Sequence, residues 1–569
     1  PMKRKTSIRL GVGVATVALL LTACGGNSAT SGSKGGTLYI LTLQDQLLHL
    51  DPQRNWTGED LAFTSAFLNR TLTAYTLSKD NTQASKLVSD AATDIGTMSD
   101  GGKTWEFTIR DGIKWQDGSE VTCDDFKYGI SRTFATDIIT DGPQYAVDMF
   151  NIPKASDKTS MYKGPYVKDA IGQALYDKAV LCKGNKITFH LKSPVADFNY
   201  ALTLSEFAAV QKAKDRGEKY DDNVQSDGPY MIQSYVKKSK LILVRNPNWS
   251  ASSDSYRPAY PDKIEYDFSI PQELVTQRLM KDSGKDKFAI SPDGIVPTQV
   301  KSVFDNKQYK NRRFNEYDPY VRYLAINTKK VPNLKHRQAI LAALDRAALR
   351  KIAGGSYAGD YADGVIKPNI GQDYAPTGLW DGLLGDKIPA TGNIALAKKL
   401  IAESGQPFPN PLVYDYGKTP VNDQVAASIV GSLARVGIVV KPNGIEPGAY
   451  YGVVQNQAKQ GGMSGSGWGP DWANASTVIP PLFSPSSGFD LSHYSDSAFQ
   501  KKIEDAKAIA DRGEQAKAWQ DLNKEAMSLA LVVPTRFGLE QRLVGSKVDG
   551  AYIWGPYGSY PYAALSVKQ

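Results

Sequence analysis

Apolar and polar residues alternate with period two along residues 103–110, where Trp105, Phe107 and Ile109 share one face, and again along 186–191, where Ile187, Phe189 and Leu191 do. That period belongs to half-buried strands. Residues 37–41, 229–232, 241–244 and 264–268 predict further strands, the middle two as a hairpin. Thr122 precedes Asp124-Asp125-Phe126-Lys127-Tyr128, so a helix is expected there, with Asp125 at the capping-box position. Farther along, the period changes. Residues 337–350 carry Ile340, Leu341, Leu344 and Leu349 at helical spacing. Segments 395–404 and 422–436 behave alike and stop near Gly405 and Gly437, as glycine C-caps do. Residues 438–440 predict the strand that follows, and 499–530 a long helical stretch interrupted at Gly513. Strands alternating with helices predict an α/β architecture. No 20–50-residue period repeats, which argues against a solenoid or propeller.

The N-terminus follows another logic. Lys3-Arg4-Lys5 precedes an apolar run over 10–23, too short for a comfortable membrane span. A basic patch before a short apolar core predicts a secretory signal over 1–23. Its end, Leu21-Thr22-Ala23-Cys24, resembles a bacterial lipobox, which implies a diacylglyceryl group on Cys24. Residues 24–36 are rich in Gly and Ser and predict a flexible tether. The expected location is the extracellular face of a bacterial cytoplasmic membrane, with the lipid as anchor.

Composition narrows the classes. A length of 569 residues predicts at least two domains, and 18 Phe, 30 Tyr and 9 Trp exclude disorder as the main state. The formal charge of +8 falls to +4 once the signal is set aside, and no basic stripe marks a nucleic-acid surface. His49, His190, His336 and His493 show no zinc spacing, so no metal or cofactor is expected. There is no G-x-S-x-G elbow. Residues 96–104 end in Gly-Lys-Thr, but the glycine falls one residue early and a strand follows, which removes a phosphate loop. Cys123 and Cys182 permit either a disulfide closing a loop of about 60 residues or two unpaired buried thiols.

Several segments together resemble the family 5 extracellular solute-binding proteins, the peptide and nickel receptors of ABC importers. They are residues 105–118 with Val121-Thr122-Cys123-Asp124-Asp125-Phe126, then Gly228-Pro229-Tyr230, Val244-Arg245-Asn246-Pro247-Asn248-Trp249, Ile326-Asn327-Thr328, the helix from Arg337, and Gly467-Trp468-Gly469-Pro470-Asp471-Trp472. The resemblance implies a two-lobed, periplasmic-binding-protein-like fold (type II, cluster C) with an extra domain inserted in the first lobe. Lobe I would comprise 37–75, 190–270 and 530–569, the inserted domain 76–189, and lobe II 271–529. Hinge crossings would fall near Ser269-Ile270-Pro271 and Val533-Pro534-Thr535.

The same resemblance implies the site. Asp471 would pair with a peptide's α-ammonium, although Trp472 stands where the family usually has Tyr. Trp468, Trp472 and Gly469 would wall the pocket, and Asn55-Trp56-Thr57-Gly58-Glu59 would supply the opposite wall. Arg322 and Tyr323 would face the cleft, with Arg322 available to a ligand carboxylate. Bland readings stand beside these: a cap carboxylate for Asp471, a core indole for Trp468, packing on its own lobe for Trp56. The expected partners are an oligopeptide ligand and an ABC importer's permease with its ATPase; a monomer is expected. An oligosaccharide or metallophore receptor of the same fold, and a secreted hydrolase using the cleft, are the alternatives.

Overall fold

The computed structural model describes residues 31–569, so the signal, Cys24 and most of the tether lie outside the described residues. The first sheet is built from β1 (Thr37–Leu41), β2 (Tyr230–Val236), β3 (Lys240–Arg245), β4 (Lys263–Asp267) and β5 (Ala289–Ile290), in spatial order β5-β1-β4-β3-β2. β1 lies parallel to both β4 and β5, while β2 and β3 form the antiparallel hairpin that the sequence predicts.

Residues 97–190 supply a four-stranded antiparallel sheet, in the order Thr97–Ser99, Thr104–Thr108, Lys186–His190, Val180–Lys183. Trp105 pairs with Phe189 and Phe107 with Ile187, all four buried, as the period-two pattern requires. Helix Cys123–Arg132 starts with the expected capping box: Asp125 N donates to Thr122 Oγ1 at 3.2 Å and Thr122 N to Asp125 Oδ2 at 3.0 Å. Cys123 is joined to Cys182, Cα atoms 5.8 Å apart, which ties this helix to the sheet. The apolar core of this inserted part is continuous with that of the first sheet.

The second sheet contains β6 (Arg313–Ile326), β7 (Gly359–Tyr361), β8 (Leu412–Gly417), β9 (Val440–Ile445), β10 (Met463–Trp468) and β11 (Val532–Leu543), in spatial order β7-β11-β6-β10-β8-β9. It has its own core, shared with helices such as Leu334–Ala343, Pro420–Ala434 and Arg512–Ser528. The single helix expected over 337–350 is two. Leu344 turns extended, and Asp345 caps Arg346–Ile352 by accepting from Ala348 N at 2.9 Å. The break expected at Gly513 comes earlier, where Asp511 caps the helix that contains this glycine. Among the described residues, no helix is long and apolar enough to cross a membrane.

The lobe boundaries shift from those expected. After Pro271 the chain stays on the first lobe: β5 joins its sheet, and Val275, Leu279, Ala289, Ile295, Val303 and Tyr309 pack with Leu41 of β1 and with Leu543. Residues 271–310 therefore belong with lobe I, and Ser269-Ile270-Pro271 is a turn within it, with Ser269 at φ +59°. The interlobe crossings are β6 and β11, 14 and 12 residues long and paired antiparallel. Val321, Tyr323, Leu324, Ala325 and Ile326, with Val532, Val533 and Phe537, are anchored in the second core, whereas Leu543 and Val544 sit in apolar clusters of the first lobe. The register slips between Tyr317 and Val321, around Asp318-Pro319-Tyr320. Val533-Pro534-Thr535 thus lies at the second-lobe end of one crossing and not at its middle.

The disulfide spans a sequence separation of 59, for which chain entropy gives about 4 kcal/mol. A Cys123→Ala/Cys182→Ala variant is expected to melt several degrees below the parent by scanning calorimetry. Coincident melting curves would remove the bond from the stability account.

Candidate ligand-binding cavity

A cavity of about 1060 Å³ lies between the lobes. The first lobe lines it with residues 56–59, 141–145, 148, 292–293 and 555–558; the second lobe and the crossing strands contribute 318–320, 322, 369–370, 467–471, 473, 539, 540 and 542. Of the residues expected at the site, Trp56, Thr57, Gly58, Arg322, Trp468, Gly469 and Asp471 are all brought together here.

Tyr323 and Trp472 are not. Side chains alternate across a strand, so with Arg322 on the cavity face Tyr323 points into the second core, 3 % exposed. Trp472 is 4 % exposed and packs in the first lobe's core. Its Nε1 donates to Asp197 at 2.8 Å and its ring meets Tyr145 edge-to-face at 4.9 Å. It supports the wall from behind.

Buried polar contacts fix the 56–59 wall from the sequence just before it. Arg132 grips Asp51 with two hydrogen bonds of 2.7 Å, both side chains fully buried. Gln53 Nε2 donates to the carbonyls of Glu206 and Ala208, and Arg54 Nε to Thr140 O. Thr57 then caps helix α1 (Gly58–Phe67), accepting from Asp60 N at 3.3 Å. At position 58 a Cβ would lie 2.3 Å from Tyr557 O, so only glycine lets these two walls touch. Trp56 remains 55 % exposed at the cavity.

The opposing wall is the end of β10 and the loop after it. Trp468 is held by its Nε1 donating to Thr477 O at 2.7 Å. Asp471 N donates to Thr477 Oγ1 at 3.2 Å, and its carboxylate accepts from the Tyr145 hydroxyl. Asp471 is exposed to the cavity; the protein packed around it still raises its pKa above the ordinary value by partial desolvation, against the lowering effect of the Tyr145 bond. Tyr145 is itself anchored: Tyr145 N and Ala146 N donate to Glu206 at 3.2 and 3.0 Å. Burial pushes Glu206 up to about 8.

Seven carboxylates line the cavity against two guanidiniums. Arg542 is committed to Glu540 and Glu59, at 2.9 and 3.3 Å. Asp318 is neutralised by Lys367, whose ammonium also donates to the carbonyls of Tyr320 and Gly538 and is pushed down to about 8 by burial. Arg322 lies over the Tyr320 ring at 4.8 Å and has no ion pair among the described residues. Sequence reasoning missed the 141–148 and 555–558 walls. Gly142-Pro143 and Gly555-Pro556 mark both as loops, but nothing local aims a loop at a cleft.

Residues 86–490 match the family described as bacterial extracellular solute-binding proteins, family 5 Middle. The chain belongs to that family. It is 25% identical over 473 residues to the periplasmic oligopeptide-binding protein OppA of Salmonella typhimurium, covering 79% of each chain. It is 23% identical over 477 residues to the probable D,D-dipeptide-binding periplasmic protein DdpA of Escherichia coli, covering 80% of each. Among solved structures, it is similar to clavulanic acid biosynthesis oligopeptide binding protein 2, with a TM-score of 0.82 and 23% identity over 94% of this chain and 96% of that one. The family's two-lobed α/β fold is the one seen here.

A carboxyl group whose folded pKa is raised, as for Glu206, gives stability that is gained as pH falls through the folded value and complete below the unfolded one. Asp60 and Asp227, each pushed up to about 7 by burial, act in the same direction. The melting temperature should therefore rise between about pH 8.5 and about pH 6, and Glu206→Gln should flatten part of that rise. A flat or inverted profile in the parent would contradict the assignment.

Proposed function

We propose that this chain is a lipid-anchored extracellular receptor, not an enzyme, which captures oligopeptides in the interlobe cavity and delivers them to the permease of an ABC importer. The observation that carries the reading is Asp471: a carboxylate exposed to the large interlobe cleft, with a neutral hydroxyl as its hydrogen-bond donor and no counter-ion among the described residues. A carboxylate in that setting is best completed by a cation, and a peptide's α-ammonium supplies one with donors to spare. Arg322, without a carboxylate partner, suits the other end of a short peptide or an acidic side chain. Trp56, Thr57, Gly58, Trp468 and Gly469 offer flat rings and close backbone approach, which tolerate varied side chains. Tyr323 and Trp472 take structural roles. Ligand bridging the two lobes would favour the closed arrangement, and β6 and β11 are the elements that bend. The names of the relatives support a peptide ligand.

Removing one partner of a desolvated charge pair costs about 3 kcal/mol, on the order of a hundredfold in affinity. Asp471→Asn should lose about that much toward a tetrapeptide with a free N-terminus in isothermal titration calorimetry, and N-acetylation of the peptide should mimic the loss in the parent. Equal affinity for free and acetylated peptides would overturn the anchor. Mass spectrometry should recover bound peptide uncleaved after long incubation; turnover would instead indicate a hydrolase. For the membrane anchor, Cys24→Ser should shift the protein from the membrane to the soluble fraction and abolish lipid labelling; a variant still labelled and sedimenting with membranes would exclude Cys24.

A further inference from the structure

The cavity's uncompensated charge is larger than one ligand ammonium would balance. With Arg542 held by two glutamates and Asp318 by Lys367, the acids left without an internal ion pair include Asp148 and Asp293 as well as Asp471. Asp141 is partly compensated by Arg54 at 3.5 Å and by His49 at 3.8 Å. Asp293 is occupied by internal donors, the Thr42 hydroxyl and Leu43 N. Asp148 is different: its side chain is exposed, lines the cavity, and has no hydrogen bond or ion pair among the described residues. Lys192 feels its charge but lies beyond ion-pair distance.

Asp148 is also well placed. It follows Tyr145 by three residues on the one-turn helix Tyr145–Met149, and positions three apart share a helix face. Asp471 bonds the Tyr145 hydroxyl from the second lobe, and Asp148 lines the same cavity from the first, so carboxylates of both lobes face one space around this phenol. No lysine lines this cavity among the described residues.

Resting on the peptide reading above, we infer that the cavity selects ligands with at least two positive charges, an N-terminal ammonium held by Asp471 and a lysine- or arginine-type side chain near the N-terminus held by Asp148. Specificity follows because a ligand cation that gives up part of its water on entering the cleft needs a partner within reach. A neutral peptide would leave Asp148 as solvated as before and gain nothing from it. An acidic one would meet like charge, which is where exclusion arises.

The test compares Lys-Ala-Lys-Ala, Ala-Ala-Ala-Ala and Glu-Ala-Glu-Ala by calorimetry on the purified full chain, at low and high salt. The lysine peptide should bind at least about tenfold more tightly than the alanine peptide, and the glutamate peptide most weakly. Asp148→Asn should cut the advantage of the lysine peptide by about fivefold while changing the affinity of the alanine peptide less than about twofold, and high salt should narrow the same gap. Circular dichroism melting confirms that the variant is folded. If the alanine peptide binds as tightly as the lysine peptide, the inference fails and the peptide reading stands. If no peptide of any charge binds, both fall. An advantage of the lysine peptide that survives Asp148→Asn undiminished would overturn the assignment to Asp148.

Discussion

Trp472 comes from the second lobe in sequence and packs with the first lobe in space, and the cavity takes its form from that crossing. Its indole is almost fully buried among first-lobe side chains, and its N–H reaches Asp197. The residues after it follow: Ala473 N donates to Tyr75 Oη at 2.9 Å, and the Ser476 hydroxyl donates to the same Asp197. Burying an indole is among the largest single apolar gains a side chain can make. It here holds Asp471, one residue earlier, against Tyr145. That contact fixes the direction in which the exposed Asp471 carboxylate faces the cleft. Trp472 therefore serves packing, and through it the placement of the neighbouring carboxylate.

The electrostatics sort into two kinds of charge. Arg132 with Asp51, and Arg70 and Arg257 with Asp90 and Asp254, are paired, hydrogen-bonded and buried, and they fix where the first-lobe walls stand. Breaking such a pair would strand a charge in the interior, so these residues serve position and not recognition. Around the cavity the balance is left incomplete on purpose of the fold's geometry: Arg542 and Lys367 are consumed by local acids, whereas Asp471, Asp148 and Arg322 have no internal counter-ion among the described residues. Incomplete pairing beside an open cleft, unlike the paired charges of the core, leaves these groups available to a ligand.

Local signals in the sequence were the readable ones. Alternation locates the strands at Trp105 and Phe189, Thr122 and Asp125 mark a helix start, and the ordered motifs mark the family. What could not be read depends on long-range placement. Strand Ala289–Ile290 is two residues long, and only its pairing with Tyr39 and Ile40 puts residues 271–310 on the first lobe. Tyr323 and Trp472 are aromatic neighbours of true lining residues, and their facing is decided by strand parity and by the other lobe. Tyr145 and Asp148 lie in a loop-rich stretch whose importance arises from Glu206, some sixty residues away, holding its backbone. The break at Asp345 shows the same limit at smaller scale, since a capping aspartate competed successfully with an apolar spacing that favoured one long helix.

The central claim is that Asp471 receives the cationic end of a ligand enclosed between the lobes. A crystal structure of the chain with a bound tetrapeptide tests it most directly. The account predicts an extended ligand in the cavity with its N-terminal nitrogen within hydrogen-bond distance, about 2.7–3.0 Å, of the Asp471 carboxylate. A ligand lying in the cavity with its N-terminus elsewhere, and Asp471 still satisfied by Tyr145 alone, would contradict it.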